Sequence, residues 1–345
     1  MASGMRSIST GLAAVFALVA LFGSAQAAAE QINVRTMQLR HYTTQSDEAY
    51  AKKDWKRAIQ YREYVTKILP FDHNNYYNLA CCYALDGQTD KAFEALDNSI
   101  RYGWCDAKHI KNDSDLKSLR DDERYEAMLE SVAKCNKETQ FVYEPETSSK
   151  IDSVSLIVAL CGDGGNPREF APEWIPVADE LGVPIVALKG QGVTDRDGVY
   201  GWHKGTDANE IDVEGTVQRI DQVAKDRGVD LSNVVVVGFS QGGAAALEII
   251  TAHPKKYRGV VAIGAGEPIQ LFRQWIANVA ESNPRVYMIA GELDNNRPFN
   301  LAAVNPLQQA GLKFKYEIVP MVGHEMPENG TELLLRAIQF VAEDS

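Results

Sequence analysis

Ser240 stands at the centre of Gly238-Phe239-Ser240-Gln241-Gly242, between the apolar run 233–240 and an alanine-rich segment that opens with Gly242-Gly243. In a G-x-S-x-G of this setting, the serine occupies a sharp strand-to-helix turn that pushes Oγ out of the backbone. The flanking glycines let the chain turn without a Cβ clash. The same turn aims the N–H of Gln241 and the positive end of the following helix at the reacting atom. A chance match in an ordinary turn is the alternative, but the strand before, the Gly-Gly pair and the helix after agree on the elbow.

A serine hydroxyl is a weak nucleophile at neutral pH and needs a base. His324, in "IVPMVGHEMPENG", follows the last expected strand and precedes the last expected helix, where a loop can carry it over the elbow. His203, in "YGWHKGTD", is its competitor. His253 reads as a cap of the nucleophile helix, and His41, His73 and His109 fall in a helical region. The supporting acid is expected between serine and histidine, at Asp294 in "VYMIAGELDNNRP". The order Ser…Asp…His separates this arrangement from the other serine triads. Such an acid fixes the imidazole tautomer and stabilises the imidazolium. Glu292 shares strand parity with Asp294 and stays a rival. An aspartate that merely starts a turn is also open.

Acyl transfer further needs donors for a tetrahedral oxyanion. In "LIVALCGDGGNPREF", Gly162, Gly164 and Gly165 allow the N–H of Asp163 to point inward beside that of Gln241. An ordinary tight turn is the plainer alternative. A phosphate-cradling role lacks both the G-x-G-x-x-G and the Walker lysine it would need. No cysteine or histidine spacing resembles a zinc site, and Glu328, not a histidine, stands four residues after His324. No metal or cofactor is expected. The polar, glycine-rich stretch 190–209 is long for a connector and could rim the pocket with Tyr200, Trp202 and His203, or be plain surface loop.

These residues require a scaffold. The runs 154–160, 184–190, 233–240, 259–265, 285–291 and 314–320 are apolar and rich in β-branched residues, as buried parallel strands are. Segments 171–181, 212–227, 242–253, 268–281, 300–310 and 331–342 read as intervening helices. Strand–helix alternation predicts a doubly wound, mostly parallel α/β sheet, with chemistry at the carboxyl ends of its strands.

Upstream, Ala58 and Ala92 fall in similar contexts ("KKDWKRAIQYREYVTKILP" and "TDKAFEALDNSI") at the 34-residue offset of tetratricopeptide units. Gly87 marks the second inter-helix turn, where the first unit carries Lys53. Pro70 closes the first unit, and Trp104 takes that place in the second. Two repeats need a cover. Leu116, Leu119, Tyr125, Met128, Leu129 and Val132 have the helical spacing to supply one. The expected layout is a signal peptide over 1–27, an all-α tetratricopeptide-like domain over 40–135, a linker over 136–152 and the α/β domain over 153–345.

Arg6, the apolar run from Gly11 to Phe22 and Ala25-Gln26-Ala27 give the signal pattern, and predict a periplasmic or extracellular protein. The apolar run is too short for a stable membrane span. Export permits disulfides, and Cys105 with Cys135 is the pair favoured among the five cysteines. A net charge of -12 excludes nucleic acid as a natural partner.

Residues 153–342 resemble the phospholipase/carboxylesterase branch of the α/β-hydrolases, which includes acyl-protein thioesterases and lies near the dienelactone hydrolases. The motifs are "LCGDGGN", "GFSQGG", "GELD" and "VGHE". Cys161 departs from the histidine usual at its position. The resemblance implies a serine esterase acting on a small ester or thioester. The rival expectation is a tetratricopeptide-mediated interaction module, binding a protein partner and carrying an idle hydrolase fold.

Overall fold

The computed structural model describes residues 37–193, 200–204, 207–266, 284–309, 313–327 and 330–343. The expected signal peptide and the helix expected over 268–281 lie outside the described residues. The chain divides into two compact units, Met1–Pro70 and Phe71–Ser345.

In the first unit, helix α1 (37–51) leads into α2 (Trp55–Ile68) through a turn in which Lys53 takes a φ of 58°. Asp54 caps α2 by accepting the Arg57 N–H. Thirty-four positions on, in the second unit, Gly87 takes a φ of 76° between α3 (His73–Leu85) and α4 (Thr89–Arg101). The same left-handed turn thus recurs, free of strain at the glycine and strained at the lysine. Ala58 and Ala92 are both fully buried, as close helix approach demands. Helix α5 (Ala107–Asn112) and helix α6 (Arg124–Lys137) follow. All six apolar residues expected to cover the repeat are buried.

Cys105 and Cys135 are joined in a disulfide with a Cα–Cα distance of 5.6 Å, while Cys81, Cys82 and Cys161 are buried thiols. The bridge closes a sequence separation of 30 residues. Its removal in Cys105→Ala/Cys135→Ala should cost about 3–4 kcal/mol by loop-closure entropy, read as a lower urea midpoint.

The sheet has seven strands in the order β1-β3-β2-β8-β9-β10-β11. They are β1 (Gln140–Tyr143), β2 (Leu156–Leu160), β3 (Ile185–Leu188), β8 (Val234–Phe239), β9 (Gly259–Ile263), β10 (Arg285–Gly291) and β11 (Lys313–Val319). All neighbours pair in parallel except β1 with β3. The stretch expected as a linker therefore supplies an antiparallel edge strand. Alternation along β2 splits its residues between two cores. Leu156, Val158 and Leu160 pack toward α9 (Val213–Asp226) and α10 (Gln241–Ala252), whereas Ile157 and Ala159 pack toward α8 (Ile175–Leu181) and α12 (Gly330–Ala342). Helix α11 (Arg297–Gln309) joins the first layer through Ala303 and Leu307. The sheet is covered on both faces and is α/β-hydrolase-like. Two short hairpins, β4 (Gly192–Val193) with β5 (Tyr200–Gly201) and β6 (His203–Lys204) with β7 (Asp207–Ile211), branch from the 190–211 connection.

Glu248 is buried on α10, and burial, with the nearby Glu210 carboxylate, pushes its carboxyl up to about 8. A raised acid binds its proton more tightly in the folded chain, so stability falls as pH climbs from about 4.5 towards 8. Glu248→Gln should flatten that fall, measured as a smaller loss of Tm between pH 5 and pH 9 than in the wild type.

Candidate active site

The elbow forms where β8 runs into α10. Ser240 has φ 54° and ψ −120°, a strained conformation for a residue with a side chain. Its N–H donates to the Ile263 carbonyl, and its carbonyl accepts from Ala244 and Gly266. The motif glycines are forced by close approach. A Cβ on Gly238 would lie 2.2 Å from the Gly242 carbonyl oxygen, and one on Gly242 would lie 2.2 Å from that of Leu160.

The Ser240 hydroxyl donates to His324 Nε2 at 2.9 Å, and His324 Nδ1–H donates to Asp294 Oδ1 at 2.9 Å. This assignment of the ring protons follows from the Asp294 carboxylate, which can only accept, beside Nδ1. The Asp294 side chain is 1% exposed and that of His324 34%. The imidazole thus faces outward on a buried carboxylate. Asp294 follows β10 and His324 follows β11, so all three side chains gather at the carboxyl ends of parallel strands. The Glu292 carboxylate instead accepts the Met321 N–H at 3.1 Å. His203 is buried beside Gly201, and His253 is the C-cap of α10, bonded to Glu214.

Three supporting residues escaped the sequence reading. Asn296 donates its N–H to Asp294 Oδ1 at 2.7 Å and its amide to the Gly264 carbonyl at 3.1 Å. Gly264 has a φ of 53°, and a Cβ there would lie 2.8 Å from Asp294 Oδ2 and 3.3 Å from His324 Nδ1. The Phe239 ring stacks on the imidazole at 4.9 Å. Only Asn296 left a signal, in the Asp-x-Asn spacing of an Asx turn.

Gly162 begins the glycine turn, and a Cβ on it would lie 3.4 Å from Ser240 Cβ, so this backbone runs directly past the serine. The turn closes through Gly165 N–H to the Gly162 carbonyl, with Gly164 at φ 69°. Asp163 is exposed, and its Oδ1 packs near Gly201, where an added Cβ would lie 2.9 Å away. Gln241 accepts the Trp202 N–H on Oε1 at 2.8 Å, and the Trp202 indole N–H donates to the Cys161 carbonyl at 2.7 Å. Trp202 and His203 are both 2% exposed. Both lie beneath the surface rather than at an open rim, and Trp202 fastens segment 200–204 to the elbow. Tyr200 pairs with Val193 through its backbone, and its side chain lies outside the described residues. Burial pushes the Cys161 thiol well above its ordinary range.

A buried acid, a half-buried imidazole and a strained serine thus stand in series on this sheet. Residues 200–342 match the family described as Phospholipase/Carboxylesterase. The chain is 26% identical over 182 residues to "Putative esterase NocK" of Nocardia uniformis subsp. tsuyamanensis, covering 50% of this chain and 46% of that protein. Over 53 residues it is 36% identical to a chloroplastic protein of Arabidopsis thaliana, covering 15% of this chain and 16% of that one. The chain thus spans less than half the length of these two curated relatives. The crystal structure of the Bacillus cereus carboxylesterase is similar at 19% identity and a TM-score of 0.47, covering 59% of this chain and 93% of that one.

Proposed function

We propose that the protein is a serine esterase, cleaving carboxylic esters or thioesters through an acyl-enzyme. The observation that carries this reading is the relay of two 2.9 Å hydrogen bonds from Ser240 through His324 to Asp294. In it, His324 Nε2 takes the hydroxyl proton as Ser240 Oγ bonds to the acyl carbon. The tetrahedral oxyanion is held by the N–H groups of Gln241 and Asp163. Collapse expels the alcohol or thiol, which receives the proton from His324. Water then attacks the acyl-enzyme with His324 again as base, releasing the acid and restoring Ser240. Asp294 keeps Nδ1 protonated throughout.

The repeat upstream is proposed as a tetratricopeptide pair, on its 34-residue recurrence of turn and alanine. Export to a periplasm or beyond is proposed on the pattern in 1–27. The Cys105–Cys135 bridge is consistent with an oxidising compartment. A fluorophosphonate probe tests the chemistry. It should label the wild type and leave Ser240→Ala unlabelled, with p-nitrophenyl acetate turnover abolished in His324→Ala. Equal labelling of both chains would end the proposal.

A further inference from the structure

Trp202 stands between the two stretches of backbone that carry the proposed oxyanion donors. Its main-chain N–H donates at 2.8 Å to Oε1 of Gln241, the first residue of α10. Its indole N–H donates at 2.7 Å to the carbonyl of Cys161, just past the end of β2. A peptide unit is planar, so a bond to that carbonyl sets the orientation of the Cys161–Gly162 peptide. The Asp163 N–H lies in the next peptide, whose Gly162 carbonyl accepts from Gly165. Gly162 joins the two planes, and a glycine has little torsional preference of its own. The Cys161 carbonyl is also enclosed from the elbow side, where a Cβ on Gly242 would lie 2.4 Å from its oxygen. Trp202 is itself held fast. It is 2% exposed, its carbonyl accepts the Asp212 N–H at 2.7 Å, and the Arg219 guanidinium lies 5.5 Å from its ring.

We infer that Trp202 is the positioning residue of the oxyanion hole, fixing the spacing between the N–H groups of Asp163 and Gln241. The inference rests on the esterase reading and adds to it a side chain outside the triad. One bond to each side makes the rigid indole a strut between the glycine turn and the elbow. Oxyanion donors act when they stand about 2.7–3.1 Å from where the charged oxygen forms. Their spacing therefore matters most in the tetrahedral state and little in the bound ester, so its loss falls on kcat rather than KM.

The test uses the full chain carrying Trp202→Phe, which keeps an aromatic ring and loses the indole N–H. Turnover of p-nitrophenyl acetate is counted per site titrated with a fluorophosphonate, which removes any unfolded fraction from the result. Per-site kcat should fall by about 10- to 100-fold, less than the 10²–10³ for losing a donor outright, with KM within about twofold. Trifluoroacetophenone reads the hole directly. Ser240 Oγ bonds to its carbonyl carbon, the hydroxyl proton passes to His324, and the carbonyl oxygen becomes the oxyanion. Its inhibition constant should rise by the factor that kcat/KM loses. Gln241→Met keeps the backbone N–H, lacks Oε1 and should give the same signature through the other bond; it decides alone should Trp202→Phe not fold. A wild type with neither labelling nor turnover would remove the esterase reading and this inference with it. An active wild type with unchanged kcat and inhibition constant in either folded variant, or with a change in KM alone, would overturn this inference and leave that reading standing.

Discussion

Ser240→Ala and His324→Ala are each expected to lower kcat for p-nitrophenyl acetate by about six orders of magnitude, and the double variant by scarcely more. Members of one relay act as a unit, so removing a second member after the first costs little. The hydroxyl and the imidazole meet at 2.9 Å, and neither has a neighbour among the described residues placed to substitute for it. Residual hydrolysis above the uncatalysed rate, about 10³–10⁴-fold, should survive, because backbone donors for the oxyanion remain. Steady-state rates with active-site titration measure this. Wild-type turnover in either single variant would remove Ser240 and His324 from the mechanism.

Asp294→Asn is expected to lower kcat by about 10⁴-fold with little change in KM. The amide is nearly isosteric, and its oxygen can still accept the Asn296 N–H, so the fold should hold. What fails is the charge beneath the ring. A carboxamide does not stabilise an imidazolium, and its NH₂ can donate to Nδ1, turning the tautomer so that Nε2 carries a proton and cannot take another. Glu292→Gln serves as the control, since that carboxylate accepts the Met321 N–H rather than facing His324. It should keep near-wild-type kcat. The opposite ranking of the two variants would transfer the acid's role to Glu292.

The strands were legible because parallel strands buried on both faces leave little but apolar, β-branched residues. Each of the six runs corresponds to a strand within a few residues. The elbow was legible because its glycines are imposed by backbone contacts, and close approach leaves one residue type. β1 was hidden by composition. Gln140–Tyr143 is half exposed on an edge, so it carries no apolar run to distinguish it from a linker. The placement of Trp202 and His203 was hidden for another reason. A glycine-rich, polar stretch looks solvent-facing, and nothing local reveals that Gln241, 39 residues on, accepts a backbone N–H from it. Side-chain-to-backbone clips over such separations leave no period in the sequence.

Arg168, one turn past the glycine loop, forms a two-pronged ion pair with Glu138, while Asn166 reaches the disulfide sulfur and β1 zips onto β3. A scissor cut at residue 153 would therefore strip the α/β half of its outer strand and strand a guanidinium beside the loop that passes the serine. Shuffling this enzyme-like half onto other partners calls for a seam at Pro70, carrying the later helices along as part of its chassis.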